Sequence, residues 1–279
     1  MQYDYRMVDV FSPEPLLGNP VAVIHDATGL STEQMQAITR WMNLSETTFL
    51  LPAEDPQADY RLRIFTLDRE LPFAGHPTLG SCRAWMEAGG RPSTPGRVVQ
   101  ECGAGLVTIR HDDDGLAFAA PPLIRTGPPG EEKMDEVCEF LAITRDQVVD
   151  AEWIDNGPGW LGVRLASAEA VLDVEAATRH PSRIEVGLVG PWEGRGETDF
   201  EVRALFSDQH GAILEDPVTG SLNAAIAQWL TATGQATAPF TASQGRKVGR
   251  EGLIDVTTDG GELWIGGNTR VIVTGRLSV

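Results

Sequence analysis

An internal repeat at an offset of 140 residues constrains the fold of this chain more than any other feature. Shifting the sequence by 140 positions places residues 60–63 (YRLR) on residues 200–203 (FEVR) and residues 76–81 (HPTLGS) on residues 216–221 (DPVTGS), without a gap. A strand, a loop and a Pro-containing helix start thus recur in both halves. The alternative is a coincidence between two ordinary strand–turn–helix units. Two related halves would meet face to face, and a cleft between domains is a common place for a small-molecule site.

A length of 279 residues allows one large domain or two medium ones, and the repeat favours two. The best linker candidate is residues 127–130 (GPPG). The predicted domains are therefore an N-terminal half, 1–126, to which the C-terminal strand 269–279 can be added, and a C-terminal half, 131–268.

The sequence predicts short strands interrupted by a few helices. Apolar alternation indicates strands at residues 5–10, 21–24, 49–51 and 60–65 in the first half and near residues 160–165 and 200–206 in the second. Helices are predicted after the capping box at residues 31–34 (STEQ), after His76-Pro77, near Glu131 and at about residues 217–233. The 30 Gly and 18 Pro residues also favour many turns, so the chain is expected to be mixed or β-rich.

Charge and cysteine usage exclude several classes of protein. The formal net charge of −18 makes a nucleic acid or an anionic membrane surface an improbable partner. The three cysteines show neither a disulfide framework nor CxxC spacing, which indicates a reducing compartment. Since no apolar run suits a signal peptide or a membrane span, we expect a cytoplasmic protein.

Two titratable residues occupy equivalent places in the repeat. Asp216-Pro217 alone is an ordinary helix start, because Asp is a favoured N-cap and Pro a favoured first residue. Its mate in the repeat is His76, which is not a preferred N-cap, so both helix N-termini are predicted to carry an acid/base group. The free amides there favour a bound anion, and the small Gly75, Gly220 and Ser221 would let a substrate carboxylate approach the backbone.

Other motifs point to acid/base chemistry without a visible cofactor or metal. Glu46 lies between a predicted helix end and an apolar strand; it is either a solvated acid or, if partly buried, a group that moves a proton. Residues 157–162 match GxGxxG, but Pro158 and Trp160 occupy the phosphate turn and a strand follows where a helix is required, so a dinucleotide site is rejected. P-loop, HExxH and GxSxG patterns do not occur.

Signature blocks spread along the chain resemble those of the phenazine-biosynthesis PhzF-like isomerases. They are DVF (9–11), GNPVAV (18–23), NLSET (43–47), GHPTLG (75–80), EDPVTGS (215–221), QG (244–245), GR (249–250) and GG (266–267). The resemblance implies an α+β, diaminopimelate-epimerase-like fold. In this fold, two pseudo-symmetric domains each wrap a mostly antiparallel sheet or barrel around a central α-helix, with the active site between them.

The resemblance also implies roles for individual residues. Glu46 would act as the general acid/base that moves a proton between carbons of an amino-acid-derived substrate, with His76 and Asp216 flanking it. Asn19, Ser45, Gly75, Gly220 and Ser221 would bind substrate, and Ser221 would orient it or relay the proton. The expected partners are a small anionic metabolite and a second copy of the chain in a homodimer, without metal or coenzyme. Ala74 departs from the pattern, because many relatives have Cys before the glycine.

Two other functions stay open at this level. The first is a non-catalytic small-molecule-binding or interaction protein that has kept the cleft. The second is an amino-acid epimerase or racemase with non-cysteine bases. A two-thiol racemase is disfavoured because Cys82, Cys102 and Cys138 fall away from the two helix starts.

Overall fold

The computed structural model describes residues 1–112, 115–194, 196 and 198–279. The strands are β1 (Gln2–Val10), β2 (Asn19–Ile24), β3 (Glu46–Leu51), β4 (Tyr60–Thr66), β5 (Glu70–Leu71), β6 (Arg97–Cys102), β7 (Gly105–Asp112), β8 (Gly115–Ala119), β9 (Val148–Trp153), β10 (Leu161–Leu165), β11 (Glu185–Pro191), β12 (Phe200–Ser207), β13 (Ile213–Asp216), β14 (Phe240–Gln244), β15 (Gly252–Asp259), β16 (Glu262–Gly267) and β17 (Thr269–Ser278). The α-helices are α1 (Thr32–Met42), α2 (Gly75–Glu87), α3 (Glu131–Leu141), α4 (Ala168–Asp173) and α5 (Gly220–Ala232), and 3₁₀ turns lie at Ala27–Gly29, Arg145–Gln147 and Arg246–Val248. Among these helices, none has the length and apolar character needed to cross a membrane.

The chain divides into two compact units. One comprises Met1–Ala119 and Gly266–Val279, and the other comprises Ala120–Ile265. The domains expected from the sequence, 1–126 with the strand 269–279 and 131–268, stay a prediction.

The first unit wraps a mostly antiparallel sheet around α2. Strand β1 runs antiparallel to β2 and β17, β3 is parallel to β2 and antiparallel to β4, and β4 is antiparallel to β5 and parallel to β6. Strands β7 and β8 continue the antiparallel order. Most of α2 is buried, and it packs against β1, β2 and β3. Gly80 permits this close packing, since a Cβ there would lie 2.3 Å from the Val21 side chain.

The second unit repeats this order of strands around α5. Strand β9 is antiparallel to β10, β10 is parallel to β11, and β11 is antiparallel to β12; β12 is antiparallel to β13 and parallel to β14, and β14 is antiparallel to β15. Leu222, Ile226 and Trp229 of α5 pack against Val189 and Val202 in one core. The predicted α+β fold with two pseudo-symmetric halves is confirmed.

The two helix starts differ from the sequence prediction. Strands β4 and β12 begin 140 residues apart, at Tyr60 and Phe200, but α2 and α5 begin 145 residues apart, at Gly75 and Gly220. The hairpin of β12 and β13 is longer than that of β4 and β5, so the ungapped alignment breaks inside it. The prediction that Pro77 and Pro217 begin the helices is therefore wrong: Pro77 is the third residue of α2, and Pro217 precedes α5.

The first helix follows its sequence signals closely. Ser31 is the N-cap of α1, its hydroxyl accepts from the Gln34 amide at 3.3 Å, and the Gln34 side chain accepts from the Ser31 amide at 2.9 Å. The predicted capping box is thus confirmed. At the other end, Asn43 adopts a left-handed conformation with φ 55° and turns the chain toward β3.

Candidate active site

Glu46 is placed at the first position of β3 by the turn that ends α1. Its neighbour Thr47 is fully buried, and β3 pairs antiparallel with β4 from this point, with Glu46 opposite Thr66. The Glu46 side chain is 16% exposed. Of the two readings of this residue from the sequence, the structure therefore favours the partly buried carboxylate over the solvated one.

His76 is the second residue of α2, and its ring lies beside this carboxylate. Its Nε2 atom is 3.5 Å from Oε2 of Glu46, and its side chain is 5% exposed. Burial lowers the pKa of His76 to about 3, against a smaller opposing effect of a hydrogen bond with the Pro20 carbonyl. The imidazole is thus neutral near pH 7, so its contact with Glu46 is not an ion pair there.

Asn19 joins this pair from the start of β2. Its Nδ2 atom lies 3.4 Å from Nδ1 of His76, and its side chain is fully buried. The structure thus brings together Glu46, His76 and Asn19 from three elements of one unit. Ser45 precedes Glu46 and is exposed, and Gly75 is the buried first residue of α2.

The N-terminus of α2 lacks a side-chain cap. Its N-cap is Ala74, and His76, the second residue of the helix, carries the acid/base group predicted at this N-terminus from within the first turn. An alanine side chain cannot accept a hydrogen bond from the first-turn amides. These amides are donors suited to a bound anion.

Asp216 is the last residue of β13, so the expectation that it lies at a helix N-terminus is wrong. The N-cap of α5 is Thr219, because three residues follow β13 before the helix begins. The Asp216 carboxylate instead accepts a hydrogen bond from the Thr219 hydroxyl at 2.6 Å, and its backbone carbonyl accepts one from Gln244 at 3.0 Å.

Gly220 and Ser221 are the first two residues of α5. The Ser221 hydroxyl accepts a hydrogen bond from the Trp160 indole at 3.1 Å, and the Ser221 carbonyl accepts one from the Asn156 amide at 2.8 Å. These contacts hold the start of α5 in a defined orientation. Asp216, Gly220 and Ser221 thus form a group within the second unit, and their proximity to Glu46 and His76 stays a prediction.

Sequence reasoning missed the residues that hold this second group. Trp160 lies in the rejected GxGxxG match, and Thr219 is one residue of a signature block, so neither is predicted to hold the site. Gln244 in the QG block was the available signal, because a glutamine that becomes buried needs several hydrogen-bond partners.

None of the three cysteines lies at the start of α2 or α5. Cys82 is fully buried in the middle of α2, and burial raises the pKa of its thiol to about 12. A thiol of this kind stays protonated and cannot act as a base near pH 7. In the described part of the chain, His, Cys, Asp and Glu side chains form no group of three or more that could hold a metal ion.

Comparisons with known proteins agree on one family. The family model described as phenazine biosynthesis-like protein (PhzC-PhzF) matches residues 8–278. A trans-2,3-dihydro-3-hydroxyanthranilate isomerase of Pseudomonas fluorescens is 33% identical over 98% of this chain and 96% of its own. A protein of Schizosaccharomyces pombe named antisense-enhancing sequence 1 is 33% identical over 99% of this chain and 98% of its own.

A solved structure shows the same fold. The phenazine biosynthesis protein of the PhzF family from Bacillus anthracis superposes with a TM-score of 0.84, covers 100% of both chains and is 20% identical. Further relatives from two Pseudomonas species carry the same isomerase name as the P. fluorescens protein. The resemblance found in the signature blocks is confirmed: the chain belongs to the PhzC-PhzF family of phenazine biosynthesis-like proteins and is an isomerase.

Proposed function

We propose that this isomerase moves a proton between carbon atoms of a small, carboxylate-bearing, amino-acid-derived substrate, with Glu46 as the general acid/base. The site would lie between the two units, with His76 and Asp216 on either side of Glu46, and the reaction would need no metal or coenzyme. The observation that carries the proposal is the position of Glu46, a partly buried carboxylate 3.5 Å from the ring of His76.

The neutral state of His76 supports this role. An imidazole with a pKa of about 3 stays uncharged and competes little for the proton that Glu46 would move. A single carboxylate can take a proton from one carbon in its ionised form and return it to another in its protonated form. His76 would then contribute hydrogen bonding to charge that develops on the substrate.

The two helix starts support an anionic substrate. Neither Ala74 at the start of α2 nor Thr219 at the start of α5 makes a side-chain cap hydrogen bond. First-turn amides therefore remain available to a substrate carboxylate, and Gly75 and Gly220 have no side chain to keep it away. Asn19, Ser45 and Ser221 complete the proposed substrate-binding residues.

Hydrogen exchange tests the role of Glu46. The first compound to test is trans-2,3-dihydro-3-hydroxyanthranilate, which appears in the name of the P. fluorescens relative. A panel of amino acids follows. In D₂O, the wild type should place deuterium on a substrate carbon, and Glu46→Gln should slow this by at least about 100-fold, the lower end for general acid/base groups. The exposed Glu132→Gln is the matched control. Unchanged exchange in Glu46→Gln would overturn the proposal.

The same experiment separates the alternatives. Ligand-induced stabilisation without exchange or product, for every compound tested, would favour a binding protein. Inversion of an amino-acid stereocentre, detected by chiral chromatography, would favour a racemase with non-cysteine bases. The proposal also includes a cytoplasmic homodimer; light scattering during size-exclusion chromatography tests the dimer.

A further inference from the structure

The side-chain amide of Gln244 can adopt only one orientation. This last residue of β14 is fully buried. Its Oε1 atom accepts from the backbone amide of Thr219 at 3.0 Å and from Nδ2 of Asn223 at 2.8 Å. A backbone amide can only donate, so the oxygen must face Thr219. The Nε2 atom then donates to the Asp216 carbonyl at 3.0 Å and to Oγ1 of Thr219 at 2.9 Å.

This orientation determines the direction of the Thr219 hydroxyl. Since Oγ1 accepts from Gln244, the hydroxyl proton is free to donate to Oδ2 of Asp216, 2.6 Å away. That distance is typical of a hydroxyl bound to a carboxylate. A threonine at an N-cap commonly accepts from a first-turn amide, but Thr219 makes no such bond. Its hydroxyl is directed at Asp216 instead.

Asp216 is therefore held at two atoms by one glutamine. Gln244 binds its carbonyl directly and orients its carboxylate through Thr219. The end of β14 lies close enough for this because Gly245 follows with φ 101°, and a Cβ there would lie 2.5 Å from the Pro217 carbonyl oxygen. A larger residue at this position would push β14 away from the segment that carries Asp216.

The first unit has a comparable glutamine with a different target. Gln100 in β6 is fully buried, donates to the Thr78 hydroxyl at 3.1 Å and accepts from the Tyr60 hydroxyl at 3.1 Å. Burial raises the pKa of Tyr60 well above its usual value, so it stays a neutral donor. Both glutamines donate to a threonine hydroxyl at the start of a central helix. The threonine bound to Gln244 in turn donates to a carboxylate, whereas the other partner of Gln100 is the Tyr60 hydroxyl.

We infer that Gln244 is a positioning residue that acts through Thr219 to direct the Asp216 carboxylate in the reaction. The inference rests on the proposed function, because that proposal supplies the role of Asp216. In this arrangement the orientation of Asp216 is set before substrate binds. Loss of the Thr219 hydroxyl should then lower kcat more than it raises KM, since the protein and not the substrate provides the alignment.

The test compares variants of similar shape in the deuterium-exchange assay. Thr219→Val should lower kcat at least tenfold with KM within about threefold, and Thr219→Ser, which keeps the hydroxyl, should restore kcat to within about threefold of wild type. Gln244→Glu, which loses two donors, should resemble Thr219→Val. In an Asp216→Asn background, Thr219→Val should have little further effect. Gln228→Glu, another α5 glutamine that donates to backbone carbonyls, is the matched control.

A spectroscopic measurement on the whole protein keeps the test independent of activity. The Gln244 carboxamide protons, assigned by their loss in Gln244→Glu, should exchange slowly in wild type and Thr219→Ser and at least tenfold faster in Thr219→Val. Slow exchange in all three proteins, or full additivity in the Asp216→Asn background, would overturn the inference. If Glu46→Gln and Asp216→Asn keep wild-type activity, the proposed function itself fails. If both lose most of their activity while Thr219→Val does not, only the role of Gln244 fails.

Discussion

His76 and Ser221 occupy the same position in the two halves of the protein, because each is the second residue of the central helix of its unit. One is a buried, neutral imidazole, and the other is a hydroxyl that accepts from Trp160. The two helix starts therefore carry different chemical groups on related backbones. These two positions therefore do not carry the two identical bases that a symmetric two-base reaction would need.

Removing the Trp160 indole, which donates a hydrogen bond to Ser221, should impair function without unfolding the protein. Trp160→Phe keeps an aromatic ring but loses the 3.1 Å hydrogen bond to the Ser221 hydroxyl. Since one hydrogen bond contributes about 0.5–1.5 kcal/mol, we expect kcat in the deuterium-exchange assay to fall about two- to thirteenfold. The exposed Trp41→Phe should behave like wild type. Equal rates in both variants would show that this bond does not orient Ser221 for the reaction.

Stability should fall in mild acid because His25 is buried in its neutral form. Burial and the neighbouring Arg6, opposed by Asp26 and Asp4, lower the pKa of His25 from 6.5 to about 4. The folded protein thus binds this proton more weakly than the unfolded chain. The contribution to stability is complete above pH 6.5 and is lost as the pH falls from there toward about 4. His76, with a pKa of about 3, adds a loss of the same sign.

Urea unfolding at several pH values between about 4.5 and 7.5 measures this effect through the denaturation midpoint. His25→Gln cannot charge, so its midpoint should depend less on pH than that of the wild type, whatever its absolute stability. The exposed His210 gives the matched variant, His210→Gln, which should keep the wild-type slope. A wild-type slope in His25→Gln would contradict the assignment.

The Cys82 thiol should be unreactive toward alkylating reagents in the folded protein. It is fully buried, and its pKa is raised to about 12 by burial. We expect iodoacetamide to leave Cys82 unmodified until the protein is unfolded in urea, while the partly exposed Cys102 reacts earlier, as mass spectrometry of peptides can show. Cys82→Ala should keep its exchange activity. Rapid labelling of Cys82 in the folded protein, together with loss of activity, would contradict this prediction and favour a mechanism that uses a thiol.

Breaking the buried ion pair of the second unit should be strongly destabilising. Arg203 makes two hydrogen bonds to the Glu215 carboxylate, at 3.1 and 2.8 Å, and two to the carbonyls of Val171 and Val174. Glu215→Leu would leave a buried guanidinium without its counter-charge, so the free energy of unfolding should fall by about 3–5 kcal/mol. The exposed pair of Arg276 and Asp4 offers the control, Asp4→Ala, with an expected loss of about 0–1 kcal/mol. Similar losses in the two variants would contradict this.

Local signals in the sequence were sufficient for several elements. The capping box at Ser31 predicted the start of α1, and alternation of apolar residues predicted β1, β2 and β4, because both patterns act over a few residues. The helix starts in the repeat could not be predicted from such local signals. His76 and Asp216 align at an offset of 140, but a longer hairpin before Asp216 shifts α5, and hairpin length leaves no periodic signal.

The candidate site shows the same division. The residue types of Glu46, His76 and Asp216 indicated acid/base chemistry, and the signature blocks identified the family. The neutrality of His76 was not readable, since it depends on burial by residues from β2 and β3. The partners of Asp216 were hidden for the same reason: Gln244 lies 28 residues farther along the chain.

The sequence by itself determined the two related halves, the family and the identity of the titratable residues, because repeats, turn residues and signature blocks are properties of the chain order. Only the tertiary structure decided that His76 is uncharged beside Glu46, that Ser221 and not Asp216 is its counterpart in the second half, and that Gln244 and Thr219 hold Asp216. These properties depend on burial and on hydrogen bonds between residues distant in sequence, which exist only once the sheets have closed around α2 and α5.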